Sequence, residues 1–279
     1  MRGRFAALLL ASAAIAALLA CAPKVEPART IPSRVPIPGP FDAAAPLVAS
    51  GTIVAEGNSA AGRTTPASAE MKNVTVMADV PVERFMAAML AMKGAIGAEC
   101  KECHPVERYE SDEVRAKLKT RQMIKLSVEI GDLFFEQKAR VTCFTCHRGK
   151  WTPEQDPPLA DRIRAAKHPV PLLTAEESAK PAEKVFTRVQ SFKGMPAASM
   201  MSAMSLWTAA IGVDCTYCHT EEGKWAAEDV VQKDVTRAMV AMTKRINDTW
   251  FAGEPIVTCW GCHRGMPIPE RTAPDAVEP

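Results

Sequence analysis

Four copies of C-x-x-C-H constrain this chain more than any other feature: Cys100, Cys103 and His104; Cys143, Cys146 and His147; Cys215, Cys218 and His219; Cys259, Cys262 and His263. Two thiols at that spacing form thioethers with the two vinyl groups of a haem, and the adjacent histidine then stands at the iron. C-x-x-C also serves zinc knuckles, redox dithiols and disulfides. None of these gives a reason for a histidine to follow the second cysteine each time. The sequence therefore predicts four covalent haem c groups, with the porphyrins forming much of the core and helices packed on their faces.

Eight of the nine cysteines lie in these motifs, and Cys21 is left over. It follows a basic start at Arg2 and Arg4 and an apolar run over 5–20, the pattern of a signal peptide covering 1–20. The junction Leu18-Leu19-Ala20-Cys21 is similar to a bacterial lipobox, which predicts lipidation at Cys21 and anchoring at the periplasmic face of a membrane. A transmembrane anchor and a plainly cleaved signal are the alternatives, the run being short for a span. Residues 21–71 then read as a tether, because the stretch is rich in Pro, Ala, Ser and Gly and has no sustained period. The charge of +2 is nearly balanced and leaves no nucleic-acid footprint.

The remainder is an internal duplication at an offset of 115 to 116 residues. Met86 matches Met201, Met89 matches Met204, and Ile96-Gly97 matches Ile211-Gly212. Further on, Met123 matches Met239, Ile130 matches Ile246, Phe134 matches Trp250, and Val141-Thr142 matches Val257-Thr258. Two two-haem modules follow, over 72–150 and 187–266, with a proline-rich linker at 151–186 and a tail at 267–279. Apolar spacing and flanking prolines predict a helix at 82–96 and its counterpart at 197–211. A second helix is expected from near Ser111, where Asp112 and Glu113 offset the dipole, and its partner from near Ala227. No strand of convincing length is visible, so the fold class is all-α.

A histidine-held iron needs a sixth ligand or an open position. Of the five histidines only His168, in the linker, lies outside the motifs, whereas there are fourteen methionines. Thioether ligation raises the reduction potential and closes the iron to substrate. The expected sixth ligands are Met86, Met123, Met201 and Met239. Met89 and Met204 lie on the same helical faces as Met86 and Met201, and spacing does not separate them. Arg148 and Arg264, each following a second motif, either pair with haem propionates or face solvent.

The chain resembles the tetrahaem cytochrome c subunit family of photosynthetic reaction centres. The resemblance lies in Asn73 to Val76 leading to Phe85-Met86-Ala87-Ala88-Met89, in Arg121-Gln122-Met123, in 141–149, and in Arg237-Ala238-Met239 with 257–265. It implies a periplasmic-side lipoprotein, not an enzyme. Electrons would come from a soluble cytochrome or other small redox donor, pass along a haem row, and reach the oxidised primary donor in the reaction-centre core subunits. It also implies that each helix before a haem motif offers its axial methionine. Many members lend one haem a histidine from the first half, at a place occupied here by Phe135, which leaves Met239 as the expected ligand and His168 as a weak substitute. The competing readings are a respiratory multihaem carrier and a multihaem reductase.

Overall fold

Pro81 and Gly97 bound the first long helix, and the same pair recurs as Pro196 and Gly212. In this computed structural model the described residues are 48–49, 52–53, 65–136, 141–166, 171–219, 225–227 and 230–273, all within one compact unit. Segment 1–20, Cys21, most of the tether, His168 and the end of the tail lie outside them.

The first half runs α1 (Ala67–Glu70), α2 (Val82–Ile96), α3 (Cys100–Cys103), α4 (Arg115–Phe134) and α5 (Cys143–His147). After α6 (Leu159–Ala166) and α7 (Ala175–Ala179), the second half repeats the order. It comprises α8 (Ala182–Val185), α9 (Ala197–Ile211), a 3-10 turn at Cys215–Tyr217, α10 (Val231–Trp250) and α11 (Cys259–His263). The fold is helical, as expected. Among the described residues the strands are β1 (Val48–Ala49) and β2 (Thr52–Ile53), an antiparallel pair of two residues each.

Helix α2 buries Val82, Phe85, Ala88, Met92 and Ala95, a stripe at helical spacing. Full burial of a side chain such as Phe85 stabilises by about 1.5–3 kcal/mol. The helix ends because Gly97 takes the left-handed conformation, φ 65, and Gly212 does the same for α9 at φ 69. Both glycines are required by a close approach. A β-carbon on Gly97 would lie 2.1 Å from the Gly149 carbonyl oxygen, and one on Gly212 1.9 Å from that of Gly265. The approach is held by Gly149 N–H donating to Ala95 O (2.8 Å) and Gly265 N–H to Ala210 O (2.7 Å). Each first helix is thereby fastened to the end of its module's second motif.

Three expectations are revised. Helix α4 begins at Arg115 and α10 at Val231, later than Ser111 and Ala227. Asp112 is instead bound by Arg121 at 2.9 Å and by Asn73 at 2.8 Å, while Glu113 takes a two-pronged bond from Arg108. These carboxylates close the loop ahead of the helix rather than cap it. Segment 151–186, in which no period was apparent, contains α6, α7 and α8, and α6 and α7 pack on α9. The repeat also begins earlier than 72 and 187. Pro66 bridges to Pro81 and Pro181 to Pro196, with Ala67 and Ala182 fully buried beneath.

The halves meet through an isologous contact, in which residue i touches j and the equivalent of j touches the equivalent of i. Arg148 bonds Glu270 and the Cys262 carbonyl; Arg264 bonds Glu154 and the Cys146 carbonyl. The Thr142 hydroxyl donates to Arg271 O, and the Thr258 hydroxyl to Gln155 O. Leu126, Ile130 and Ile246 form the apolar centre, flanked by Met123, Met242, Phe135, Phe251, Val141 and Val257. Duplicated sequence has thus folded as a pseudo-two-fold pair. Arg148 and Arg264, 14% and 11% exposed at the side chain, belong to this seam, which corrects the expectation of solvent exposure.

Candidate haem-binding sites

Each C-x-x-C-H motif folds as a single turn, which brings its two sulfurs and its histidine to one end of a helix. Thr142 caps α5 by accepting from Thr145 N–H (3.3 Å), and Thr258 caps α11 by accepting from Gly261 N–H (3.2 Å). Glu99 and Glu102 form the corresponding box at α3.

The four motif histidines share one arrangement. Nδ1 of His104 lies 2.9 Å from Tyr109 O, that of His147 3.0 Å from Lys150 O, that of His219 3.0 Å from Trp225 O, and that of His263 2.9 Å from Met266 O. A carbonyl only accepts, so Nδ1 carries the hydrogen and Nε2 keeps its lone pair. This is how a metal-ligating histidine is oriented and its tautomer set. Burial, then the nearby Lys233 charge, holds the His219 imidazole below its usual pKa, and burial does the same to His263. Both effects favour the neutral ring that a metal needs.

A cavity of about 400 Å³ opens at the third motif, within the range of small-molecule and cofactor sites. Cys215, Cys218 and His219 line one side; Met201, Met204 and Trp207 line another. Both methionines of the pair named from spacing therefore face it. At the first motif a more open hollow of about 380 Å³ is lined by Cys100, His104, Val106 and Tyr109. There Met89 packs against the cluster of Ala67, Val80 and Phe85, whereas Met86 is 46% exposed. Met123 packs against the inter-module cluster, and Met239, its counterpart, is partly buried on α10.

Most of the motif thiols are unlike those of a reactive dithiol. Burial pushes Cys259 up to about 11 and raises Cys103, Cys143, Cys215 and Cys218 in the same direction, whereas reactive dithiols need a lowered pKa. Cys146 and Cys262, from opposite halves, lie with sulfurs 3.1 Å apart; the contact and burial raise Cys262, and the same contact lowers Cys146. Among the described residues no three His, Cys, Asp or Glu side chains converge on one point, as a zinc knuckle requires. Paired thiols, a neutral imidazole with its Nε2 available and an apolar hollow alongside fit a covalent haem. No described helix is long and apolar enough to cross a membrane.

Sequence reading missed two pairs of residues at these sites. Lys117 and Lys233, both buried, donate to the carbonyls that hold His104 and His219. Thr236 lies 3.9 Å from the Cys218 sulfur, and its counterpart Thr120 acts to lower the pKa of Cys103 against the effect of burial. All four recur at the offset of 116 and were findable by extending the repeat comparison through the polar positions of α4 and α10.

Comparison with known proteins points to one family. The family described as photosynthetic reaction centre cytochrome C subunit matches residues 42–156 and again 154–278. The photosynthetic reaction center cytochrome c subunit of Thermochromatium tepidum is 36% identical over 111 residues, 38% of this chain and 27% of that protein. Its Rubrivivax gelatinosus namesake is 35% identical over 117 residues, 40% of this chain and 31% of the relative. The Roseobacter denitrificans protein of the same name is 22% identical over 253 residues, 71% and 68% of the two chains. The first two matches thus span about a quarter to a third of those relatives' length.

Proposed function

Because the chain belongs to the photosynthetic reaction centre cytochrome c subunit family, whose members carry covalent haem c, we propose that it is a four-haem electron carrier that re-reduces the oxidised primary donor of a reaction centre. The observation that carries this reading is the fourfold repetition of a histidine held through Nδ1 on a backbone carbonyl beside two thiols. Bound haem supplies one-electron iron chemistry. The eight motif cysteines attach it, and the four histidines offer Nε2 to the iron. Met86, Met123, Met201 and Met239 supply the sixth ligands, which leaves a carrier rather than an enzyme with an open iron.

The polypeptide sets where the attachment points lie. Those of the second site in each half meet at the module seam, at Cys146 and Cys262, while those of the first sites lie on α3 and on the Cys215–Tyr217 turn. A chain of this layout suits electrons passing between halves. Lipidation at Cys21, supported by the sequence pattern there, holds the protein at the periplasmic face, where the reaction-centre core is the acceptor and a small soluble redox protein the donor.

Two measurements test the reading. The mass of the purified protein should exceed that of the mature polypeptide by four haem groups that resist extraction into acidified acetone. A light flash given to isolated membranes should oxidise haem within microseconds. A mass without four such groups overturns the cofactor assignment. Normal chemical reduction without a light response overturns the photosynthetic role and leaves a respiratory carrier.

A further inference from the structure

Lys117 and Lys233 occupy an expensive position. Their residues are 9% and 8% exposed, and lysine is seldom buried without a partner. Each is the third residue of its helix, α4 or α10, the end where the dipole disfavours a cation. Their bonds explain the placement. Lys117 Nζ donates to Tyr109 O (2.8 Å) and Ser111 O (2.9 Å), with Asp112 at 3.5 Å. Lys233 Nζ donates to Trp225 O (2.9 Å) and to Ala227 O. Tyr109 O and Trp225 O are also the acceptors for Nδ1 of His104 and His219. One carbonyl oxygen thus receives an ammonium and an imidazole N–H together, twice in the chain.

The second site of each half is built differently. His147 and His263 use Lys150 O and Met266 O, three residues on. The cations nearest those motifs, Arg148 and Arg264, spend their bonds on Thr145 O, Cys262 O and Cys146 O, and pair with Glu270 and Glu154.

We propose that Lys117 and Lys233 are positioning residues that raise the reduction potential of the first haem in each half by loading the carbonyl its histidine uses. The proposal rests on the four-haem reading above. An ammonium drawing on the carbonyl's lone pairs leaves less for the imidazole N–H, so the ring donates less electron density to iron. Outer-shell bonds of this kind are a recognised lever on metal sites. The buried positive charge acts in the same direction, since it disfavours the more positive, oxidised iron. Both effects favour the reduced state at the first and third motifs; at the second and fourth the nearest buried cations, Arg148 and Arg264, bond other carbonyls and are paired with Glu270 and Glu154.

The test is a spectropotentiometric titration of the full-length holoprotein carrying Lys117→Gln, Lys233→Gln, the charge-retaining Lys117→Arg, or Lys125→Gln as an exposed control. Each glutamine variant should lose about tenfold in the equilibrium constant for reducing one haem, ~59 mV for one electron, with the low-spin spectrum intact. Lys117→Arg should stay within about twofold of the parent, and Lys125→Gln should move nothing. Unchanged potentials in both glutamine variants, an equal drop in Lys117→Arg, or a shift on the haems of the second and fourth motifs would overturn the proposal. Loss of a covalent haem from both glutamine variants would also overturn it, by making the lysines assembly determinants. A parent protein with fewer than four haems counts against the four-haem reading instead.

Discussion

Replacing Gly97 with alanine should cost about 2.5–6.5 kcal/mol, and the terms can be assigned separately. Gly97 has φ 65, and an L side chain in that region costs about 1–2 kcal/mol. Its new β-carbon would lie 2.1 Å from a backbone oxygen, that of Gly149, which cannot rotate away. Relieving the clash moves the end of α5 away from α2, breaking the Gly149 to Ala95 bond of 2.8 Å, worth about 0.5–1.5 kcal/mol. Residual overpacking adds about 1–3 kcal/mol. Gly194 isolates the first term: its φ is 82, but nothing lies within 4 Å of a β-carbon there. Gly194→Ala should therefore cost only about 1–2 kcal/mol. Guanidinium unfolding of the two holoproteins, read by far-UV circular dichroism with the slope unchanged, gives both values from the midpoints. Equal losses within about 0.5 kcal/mol would refute the reasoning, because the collision would then contribute nothing.

Arg148→Ala and Arg264→Ala should each destabilise by about 1–3 kcal/mol in the same assay, through carbonyls and carboxylates left without their partner; two clearly unequal losses would contradict the pseudo-two-fold seam. Asp112 is held down to about 2, first by the Arg121 bond and then by Asn73. Since its folded pKa is depressed, its stabilisation is present above the ordinary carboxylate range of about 4 and is lost as pH falls toward 2. Asp112→Asn should flatten stability against pH in that window, and an unaltered profile would contradict the assignment. Met201→Leu should turn the haem at His219 high-spin while Met204→Leu leaves it low-spin; the reverse pattern would transfer the ligand to Met204.

Local signals in this sequence proved reliable where local physics decides the outcome. Helices 82–96 and 197–211 were readable residue for residue, because apolar spacing, an opening proline and a closing glycine all agree there. The start of α4 was misread, because the acidic residues that resemble a cap are drawn into side-chain bonds with Asn73, Arg108 and Arg121, and α10 likewise starts late, at Val231. Helices α6 and α7 escaped notice among prolines, and their packing on α9 is tertiary information. At the site, the cysteines and histidines of the four motifs were plain from spacing. What spacing does not contain is the acceptor for each Nδ1, since Tyr109, Lys150, Trp225 and Met266 contribute only backbone oxygen.

The seam between the halves explains why the duplication could diverge without coming apart. Away from the axis each contact occurs twice between unlike positions, as with Arg148 to Glu270 and Arg264 to Glu154. Change in one copy therefore leaves the other intact. Close to the axis a position faces its own equivalent, and an exact repeat would set like charges together. Glu129 and Arg245 are such equivalents, at the offset of 116, and they lie 3.5 Å apart as an opposite pair. Glu129 also accepts from Trp250 Nε1 at 2.9 Å, which the matching Phe134 has no donor to reproduce. With the Glu129 and Arg245 side chains 28% and 44% exposed, the ion pair contributes only about 0–1 kcal/mol. Its larger effect is on identity: a half paired with its own copy would meet Glu129 with Glu129, or Arg245 with Arg245. The divergence at this one position makes the contact favour unlike halves, and so ties the two modules of one chain to each other.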